Sequence, residues 1–224
     1  MIRLDNISVI YPFGDSKCRA LQNVSLTIPD GQFVSIIGRS GSGKSTFLRI
    51  ASGLETPTKG KVFYDDICIS DLSSAQLSKH RSTKVGFVFQ HFMLEPEYDV
   101  QFNLELPLMI AEVDQQLRKE RILHFAEQLG IAKKLEAKVK QLSGGERQRV
   151  CIARALINDA PIIFADEPCG NLDRENADIV MKTLSTLAVE GRTIVLVTHD
   201  MEAAKCADRI IHLRDGMVIS DENT

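Results

Sequence analysis

The sequence of 224 residues contains no tryptophan and only 6% aromatic residues. No apolar stretch approaches the 18 or so residues that a membrane-spanning helix needs, and the N-terminus lacks a leader-like apolar run. The five cysteines lie far apart without a CxxC pair, which disfavours a disulfide scaffold or a zinc site. The net charge of −3 leaves no whole-chain basic field for nucleic acid or anionic lipid. We therefore expect a cytoplasmic chain with free thiols, in which any anion is held by a local site.

What the chain does have is a core, since 44% of its residues are apolar, and an alternation of strand and helix patterns. Such alternation predicts an α/β fold with a mostly parallel sheet built from βαβ units. The predicted strands are 7–10, 24–28, 33–37, 61–64, 85–89, 162–165 and 193–197, with a hairpin of 210–213 and 217–219. The predicted helices are 45–52, 117–142, 176–189 and 201–207.

A glycine-rich stretch between the strand 33–37 and the helix 45–52 fits the pattern G-x4-G-K-[ST]. Its glycines let backbone N–H groups curl around an anion, and the helix presents its positive end to the same anion. Lys44 would add a charge at the β and γ phosphates, and the Ser45 hydroxyl would bind Mg²⁺. Chance alone gives about 0.006 such matches in a chain of this composition. The predicted phosphate contacts are Gly38, Ser40, Gly41, Ser42, Gly43, Lys44, Ser45 and Thr46.

Two acids follow the apolar strand 162–165. Ligands of parallel sheets lie beyond the carboxyl ends of the strands, so Asp166 is expected at the Mg²⁺ ion and Glu167 at the water that attacks the γ phosphate. A buried strand that ends in charged residues is common, and the pattern alone is weak. Together with the phosphate loop it predicts a metal and general-base site.

The stretch from Leu142 to Arg149, which reads LSGGERQR, resembles the signature sequence of ATP-binding-cassette (ABC) ATPases. Other positions resemble that family in chain order. The resemblance implies that Gln90 is the Q-loop glutamine, a Mg²⁺ ligand close to the chemistry, and that Asp173 in Gly170-Asn171-Leu172-Asp173 belongs to the D-loop. It implies that His199 is the switch histidine at the γ phosphate, and that Tyr11 stacks on adenine.

The resemblance covers the whole chain and implies a single ABC ATPase domain. Its fold is expected to be a P-loop NTPase (RecA-like) core of residues 1–90 and 157–224, with an N-terminal antiparallel β subdomain. An inserted helical subdomain, 91–156, would carry the signature. The implied activity is ATP hydrolysis with ATP and Mg²⁺ in a head-to-tail homodimer. Ser143, Gly144 and Gly145 of one chain would then complete the anion nest of the other.

The implied partners are transmembrane permease subunits on a separate chain, with no nucleic acid, and this places the chain on the inner face of the cell membrane. Residues 87–90, 105–108 and 170–173 resemble the macrolide-efflux, lipoprotein-release and cell-division subgroup. The leading hypothesis is therefore efflux of a lipid, lipoprotein or peptide type of substrate. The alternative is an ATPase that regulates a membrane partner in cell-division-type envelope signalling without transport. A soluble cassette of DNA repair or translation is disfavoured because no second cassette and no heptad run are present.

Some residues keep two interpretations at this point. Tyr11 either stacks on a base or simply packs in its loop. The acidic loop Glu95–Tyr98 either receives a membrane subunit or is an ordinary exposed loop. Cys169, beside Glu167, is expected to pack as a small hydrophobic residue rather than to act as a nucleophile, and Arg147 and Arg149 are expected to support the structure.

Overall fold

The computed structural model describes residues 1–14 and 16–224, which form two compact units. The first unit contains Met1–Ser78 and Leu184–Thr224, and the second contains Lys79–Thr183. The predicted subdomain limits at 91 and 156 follow the motifs instead, and that division stays a prediction.

In chain order the strands are β1 (Ile2–Phe13), β2 (Ser16–Ile28), β3 (Phe33–Ile37), β4 (Lys59–Tyr64), β5 (Ile67–Cys68), β6 (Val85–Val88), β7 (Ile162–Asp166), β8 (Thr193–Thr198), β9 (Arg209–Arg214) and β10 (Met217–Asn223). The helices are α1 (Lys44–Ala51), α2 (Ser74–Lys84), α3 (Val100–Ile110), α4 (Gln115–Gln128), α5 (Gly144–Leu156), α6 (Arg174–Val189) and α7 (Met201–Ala204). Short 3₁₀ turns lie at Ile69–Asp71, Ala132–Lys134 and Val139–Gln141.

The first unit combines an antiparallel sheet with a mostly parallel one. The antiparallel sheet has the strand order β2-β1-β4-β5, and its inner face buries apolar side chains of alternating positions, as a half-buried sheet requires. In the second sheet β3 runs parallel to both β8 and β9, and β10 pairs antiparallel with β9. Every residue of β3 is buried, because α1 packs near β8 and α7 packs against both β3 and β8.

The second unit contains the parallel strand pair β6 and β7. Helix α5 packs on β6 and also contacts α3 and α4. A Cβ atom added at Gly86 of β6 would lie 2.2 Å from the Ala155 carbonyl oxygen, so the helix backbone approaches the strand as closely as glycine allows. Among residues 1–14 and 16–224, no helix is both long and apolar enough to cross a bilayer.

The structure corrects two predicted helices. The helix predicted for 117–142 ends at Gln128, because Gly130 takes a left-handed φ of +66° and turns the chain away. Residues beyond it form turns and the two 3₁₀ segments that precede the signature. The helix predicted for 201–207 ends at Ala204.

Candidate functional site

The predicted phosphate loop joins β3 to α1 in the first unit. Its turn is closed by a hydrogen bond from the Ser42 N–H to the Arg39 carbonyl oxygen, 3.1 Å long. Gly41 and Gly43 have φ angles of +78° and +101°, which glycine adopts without strain. In the described part of the chain no side chain caps α1 at Gly43. A helix start without a side-chain cap is the kind of place where proteins bind an anion.

Two glycines of the loop are required by close backbone contacts. A Cβ atom at Gly38 would lie 2.2 Å from the Leu213 carbonyl oxygen, and one at Gly43 would lie 2.4 Å from the Ala20 carbonyl oxygen. Both contacts are with main-chain atoms, which cannot move aside as a flexible side chain can. The loop is thus seated on the end of β9 and on β2.

The polar side chains of the loop fit a bound phosphate. The Lys44 ammonium donates to the carbonyl oxygens of Gly38 and Arg39 at 2.8 and 3.1 Å, so the cation lies over the loop backbone. The buried Ser42 hydroxyl has no hydrogen-bond partner among the described residues. A buried polar group without a partner is costly unless a ligand satisfies it. A cation, an unpaired hydroxyl and an uncapped helix together suit the phosphates of a nucleotide.

His199 lies at the same edge of the sheet as this loop. Strands β3 and β8 are parallel, and Ile37 pairs with Thr198, so both strands end side by side. The loop leaves β3 directly after Ile37, and His199 follows Thr198. The Thr198 hydroxyl accepts a hydrogen bond from the Asp200 N–H at 3.0 Å, which fixes the turn that carries the histidine. The first unit therefore brings together two motifs far apart in sequence.

Tyr11 is held by an acid that sequence reasoning missed. Its hydroxyl donates to the Glu55 carboxylate at 2.9 Å, and Arg49 of α1 lies 3.3 Å from the same carboxylate. Burial and then the Glu55 carboxylate raise the pKa of Tyr11. The half-buried ring is thereby tied to the end of α1, the helix that begins at the phosphate loop. The simple-packing interpretation of Tyr11 did not include this bond.

In the second unit, Gln90 and the two acids follow paired strands. Val88 of β6 pairs with Ala165 of β7, so Gln90 and Asp166 lie at one edge. The Asn171 side-chain amide donates to the Gln90 carbonyl oxygen at 2.9 Å. A Cβ atom at Gly170 would lie 3.1 Å from Gln90 Nε2. The segment after β7 is therefore packed on Gln90, a contact that the sequence motifs did not indicate.

Glu167 has a strained backbone. Its φ of +47° is rare for a residue other than glycine. A hydrogen bond of 3.0 Å from the Gly170 N–H to the Glu167 carbonyl oxygen closes the turn. Strain of this kind is concentrated at functional sites, where the surrounding structure enforces it. The turn holds the predicted general base directly after the end of β7.

The signature segment caps its own helix. The Ser143 hydroxyl accepts from the Glu146 N–H at 3.3 Å, and the Glu146 carboxylate accepts from the Ser143 N–H at 2.8 Å. Lys134 lies 3.0 Å from the other carboxylate oxygen. The Ser143 N–H, together with Lys134, lowers the pKa of Glu146 to about 2. The N-terminus of α5 is a closed capping box with an acid in its first turn.

The glycines of the signature lie against the segment that contains Asp173. A Cβ atom at Gly145 would lie 1.9 Å from Asn176 Oδ1, and one at Gly144 would lie 3.7 Å from Leu172. The Asn176 main-chain N–H and then its side-chain amide donate to Asp173, and these bonds lower the pKa of Asp173. Asn176 thus joins Asp173 to the signature within one chain. The sequence signal for this contact is the Asp-x-x-Asn spacing at the start of α6.

The remaining predicted residues have structural contacts in the second unit. Arg147 donates two hydrogen bonds to the Leu142 carbonyl oxygen, at 3.0 and 2.9 Å, as expected of a supporting residue. The half-buried Cys169 thiol lies 3.7 Å from the Ala177 carbonyl oxygen. In the acidic loop Glu95–Tyr98, Glu97 forms an ion pair of 2.7 Å with Lys140, and the Tyr98 side chain is 51% exposed. That loop keeps both of its interpretations.

Comparison with known proteins decides among nucleotide-binding families. The family described as "ABC transporter" matches residues 21–170. The chain belongs to the ABC transporter family. The cassette is 46% identical to the ABC transporter ATP-binding protein MJ0796 of Methanocaldococcus jannaschii, over 99% of this chain and 97% of that protein. It is similar to a solved dimeric, post-hydrolysis structure of MJ0796 bound to ADP and Pi, with a TM-score of 0.92, 42% identity, and coverage of 100% and 98% of the two chains.

A second kind of relative is longer than this cassette. The macrolide export ATP-binding/permease protein MacB of Hyphomonas neptunium is 41% identical over 99% of this chain, which spans only 34% of MacB. The predicted family and the predicted α/β fold, with its mostly parallel and antiparallel sheets, are confirmed. The predicted enzyme class is confirmed as well. The cassette is an ATP-binding subunit of an ABC transporter and an ATP hydrolase.

Proposed function

We propose that the cassette binds Mg-ATP through the loop Gly38–Thr46 and hydrolyses it with Glu167 as the general base. The observation that carries the proposal is the cradle of the loop, where Lys44 lies over the backbone and the buried Ser42 hydroxyl has no partner in the described structure. Ser45, Gln90 and Asp166 offer the oxygen ligands that Mg²⁺ prefers. When bound, Mg²⁺ neutralises charge on the β and γ phosphates.

The roles of the chain's own groups follow from their chemistry. Glu167 accepts the proton of the attacking water, and His199 donates a hydrogen bond toward the γ phosphate. Tyr11 stacks on the adenine base. Gly43 and Lys44 hold the phosphates through the helix N-terminus and the ammonium group.

We also propose that two cassettes associate head to tail with ATP between them. The structures of MJ0796 are dimeric, and 42% identity across the whole chain supports the same assembly here. In that arrangement Ser143, Gly144 and Gly145 of the partner would complete the site, with Asp173 near the interface. Asp173 and Ser143 are both exposed in the single chain, as such an interface requires.

The proposed partners are transmembrane permease subunits, which would hold the cassette at the cytoplasmic face of the membrane. The support is the MacB relative, whose name combines an ATP-binding and a permease function and of which this whole cassette spans only 34%. By the same similarity, the proposed process is efflux of a lipid, lipoprotein or peptide type of substrate. Purification from membranes, with identification of the bound permease, tests this choice. If the bound membrane partner signals in cell division and transports nothing, regulation of that partner replaces efflux as the proposed process.

Glu167→Gln tests the hydrolytic proposal. The amide keeps the shape of the side chain but cannot take a proton, so hydrolysis should slow by about 10²–10⁴-fold while ATP still binds. Loss of a negative charge near the γ phosphate should also stabilise the ATP-bound dimer. Hydrolysis assays and size-exclusion chromatography with and without Mg-ATP measure both effects. Glu127→Gln, at an exposed position of α4, is the matched control.

Two outcomes contradict the proposal. Hydrolysis by Glu167→Gln at the rate of the wild type excludes Glu167 as the base. A protein that remains monomeric with ATP bound argues against the head-to-tail assembly.

A further inference from the structure

The turn between β9 and β10 touches the phosphate loop from outside. Gly216 of this turn donates its N–H to the Ser42 carbonyl oxygen at 3.0 Å. On its other side, the Gly216 carbonyl oxygen accepts from the Gln22 N–H at 2.8 Å. The Gln22 side-chain amide donates to the Asp215 carbonyl oxygen at 2.9 Å. The turn therefore connects β2 with the loop through hydrogen bonds on both sides.

This contact determines the direction of one amide in the loop. The C=O and N–H groups of a planar trans peptide point in opposite directions. Because the Ser42 carbonyl is bonded to Gly216, the N–H of the Ser42–Gly43 peptide points away from the β9–β10 turn. Gly43 is the residue directly before α1, where N–H groups would meet an anion.

We propose that the Asp215–Gly216 turn is a positioning element of the phosphate loop, which holds the Gly43 N–H toward the β and γ phosphates of the nucleotide. The inference rests on the proposed nucleotide site. It assigns a role in phosphate binding to residues that lie outside every motif of the sequence analysis.

Only glycine fits at position 216. Its φ is +75°, and an added Cβ atom would lie 2.7 Å from the Ala20 carbonyl oxygen and 3.0 Å from the Leu21 Cα atom. A side chain would push the turn away from β2 and weaken its bond to Ser42. Gly191 provides a matched control, because its φ is +94° but no described atom lies within 4 Å of an added Cβ. Both substitutions strain the backbone, and only that at Gly216 disturbs the loop.

The test measures equilibrium binding of ATP and of AMP, with the melting temperature, for the wild type, Gly216→Ala, Gly191→Ala and Lys44→Ala. AMP lacks the β and γ phosphates and reports on general damage to the site. Gly216→Ala should weaken ATP binding about tenfold and leave AMP binding within about twofold, since one oriented donor to a charged group is misplaced. Gly191→Ala should bind both nucleotides like the wild type.

Several results separate this inference from the proposed function. The inference is overturned if Gly216→Ala binds ATP with wild-type affinity. It is also overturned if Gly216→Ala loses as much affinity for AMP as for ATP, or if Gly191→Ala loses as much ATP affinity as Gly216→Ala does. Unchanged ATP affinity in Lys44→Ala contradicts the proposed nucleotide site itself.

If Gly216→Ala does not fold, Gln22→Met decides. This variant keeps the length of the side chain and removes only its bond to the Asp215 carbonyl oxygen. It should weaken ATP binding about two- to threefold with AMP unaffected. An unchanged ATP affinity overturns the inference.

Discussion

Two helices of this cassette start at glycines, and their N-termini are in different states. Helix α1 follows Gly43, and helix α5 begins with Gly144 and Gly145. At α1, Gly43 has no side-chain cap in the described structure, the first turn contains no acid, and Lys44 supplies a cation. At α5, Ser143 and Glu146 form a closed capping box, and Glu146 places a carboxylate in the first turn. The start of α1 is therefore open to an anion, and we call residues 38–46 the open turn. The start of α5 is occupied by its own side chains, and we call residues 143–146, the signature turn, the closed turn.

The difference bears on how the two turns are used. An uncapped helix with a neighbouring cation attracts phosphate without further change. A capped helix with an acid at its start offers fewer free donors, so it does not hold an anion by itself. It can still add donors to a phosphate that the loop of another chain already holds. We therefore expect a single chain to bind ATP through the Gly38–Thr46 loop alone, and the signature turn to act only on the nucleotide of a second chain.

Among the tests of this comparison, the largest expected effect is on hydrolysis by Ser143→Arg. The bulky cation removes the cap and blocks the signature turn, so turnover should fall by about 10²-fold or more. The ATP affinity of the monomer should stay within about twofold, because the α1 turn is untouched. Steady-state hydrolysis and ATP titration measure the two quantities. Asp114→Ala, which removes the side-chain cap of α4, is the control for loss of a helix cap.

Lys44→Ala should lose ATP affinity itself, which Ser143→Arg retains. The substitution removes the cation of the α1 turn, so ATP affinity should fall about 10- to 100-fold. Isothermal titration of ATP measures it, with Lys119→Ala on the exposed surface of α4 as the control. Unaltered affinity in Lys44→Ala would mean that the open turn is not the nucleotide site.

The open turn could be predicted from sequence because its signals are local. The pattern G-x4-G-K-[ST] and the flanking strand and helix placed α1 within one residue of its observed limits. Helix α2 was not predicted, since its only large apolar residue is Leu77 and no apolar face repeats along it. Strands β1 and β2 are longer than predicted, because Asn6 and Asn23 adopt left-handed φ angles that interrupt the alternation of the pattern.

The contacts that support the site could not be predicted because they are not local. Glu55 reaches Tyr11 across 44 positions of the sequence. Gly216 reaches Ser42 from the far end of the chain. Each contact joins segments that are far apart in the sequence, and neither Glu55 nor Gly216 belongs to a recognisable motif. The capping box of Ser143 and Glu146 could have been predicted, because its Ser-x-x-Glu spacing is a local signal. The same residues were interpreted only as part of the signature motif.

A smaller effect is expected at Tyr11, which is tied to the end of α1. Tyr11→Phe and Glu55→Ala each remove the same 2.9 Å hydrogen bond, and each should weaken ATP binding about threefold because the ring is less well fixed. The double variant should be no weaker than either single one, since the residues act as a pair. Fluorescence titration with an ATP analogue measures the cycle. Additive losses would show that Glu55 does not position the ring.

The smallest effect concerns the charge of the closed turn. Because the folded pKa of Glu146 is lowered to about 2, its ionised form stabilises the fold above the unfolded pKa of about 4.3. That contribution is lost as the pH falls toward 2. Glu146→Gln should be less stable than the wild type by about 0.5 kcal/mol at pH 7, with the difference vanishing near pH 2. Urea unfolding across this range measures it, and a difference that grows in acid would contradict the assignment.

A mixing experiment tests most directly the claim that the open turn binds ATP within a chain and the closed turn acts on a partner's nucleotide. Lys44→Ala retains an intact signature turn, and Ser143→Arg retains an intact phosphate loop. A head-to-tail pair formed from one chain of each contains one complete site. We expect the mixture to hydrolyse ATP several-fold faster than either variant alone, with the greatest rate at an equal ratio. A mixture that never exceeds the mean of the two separate rates would contradict it.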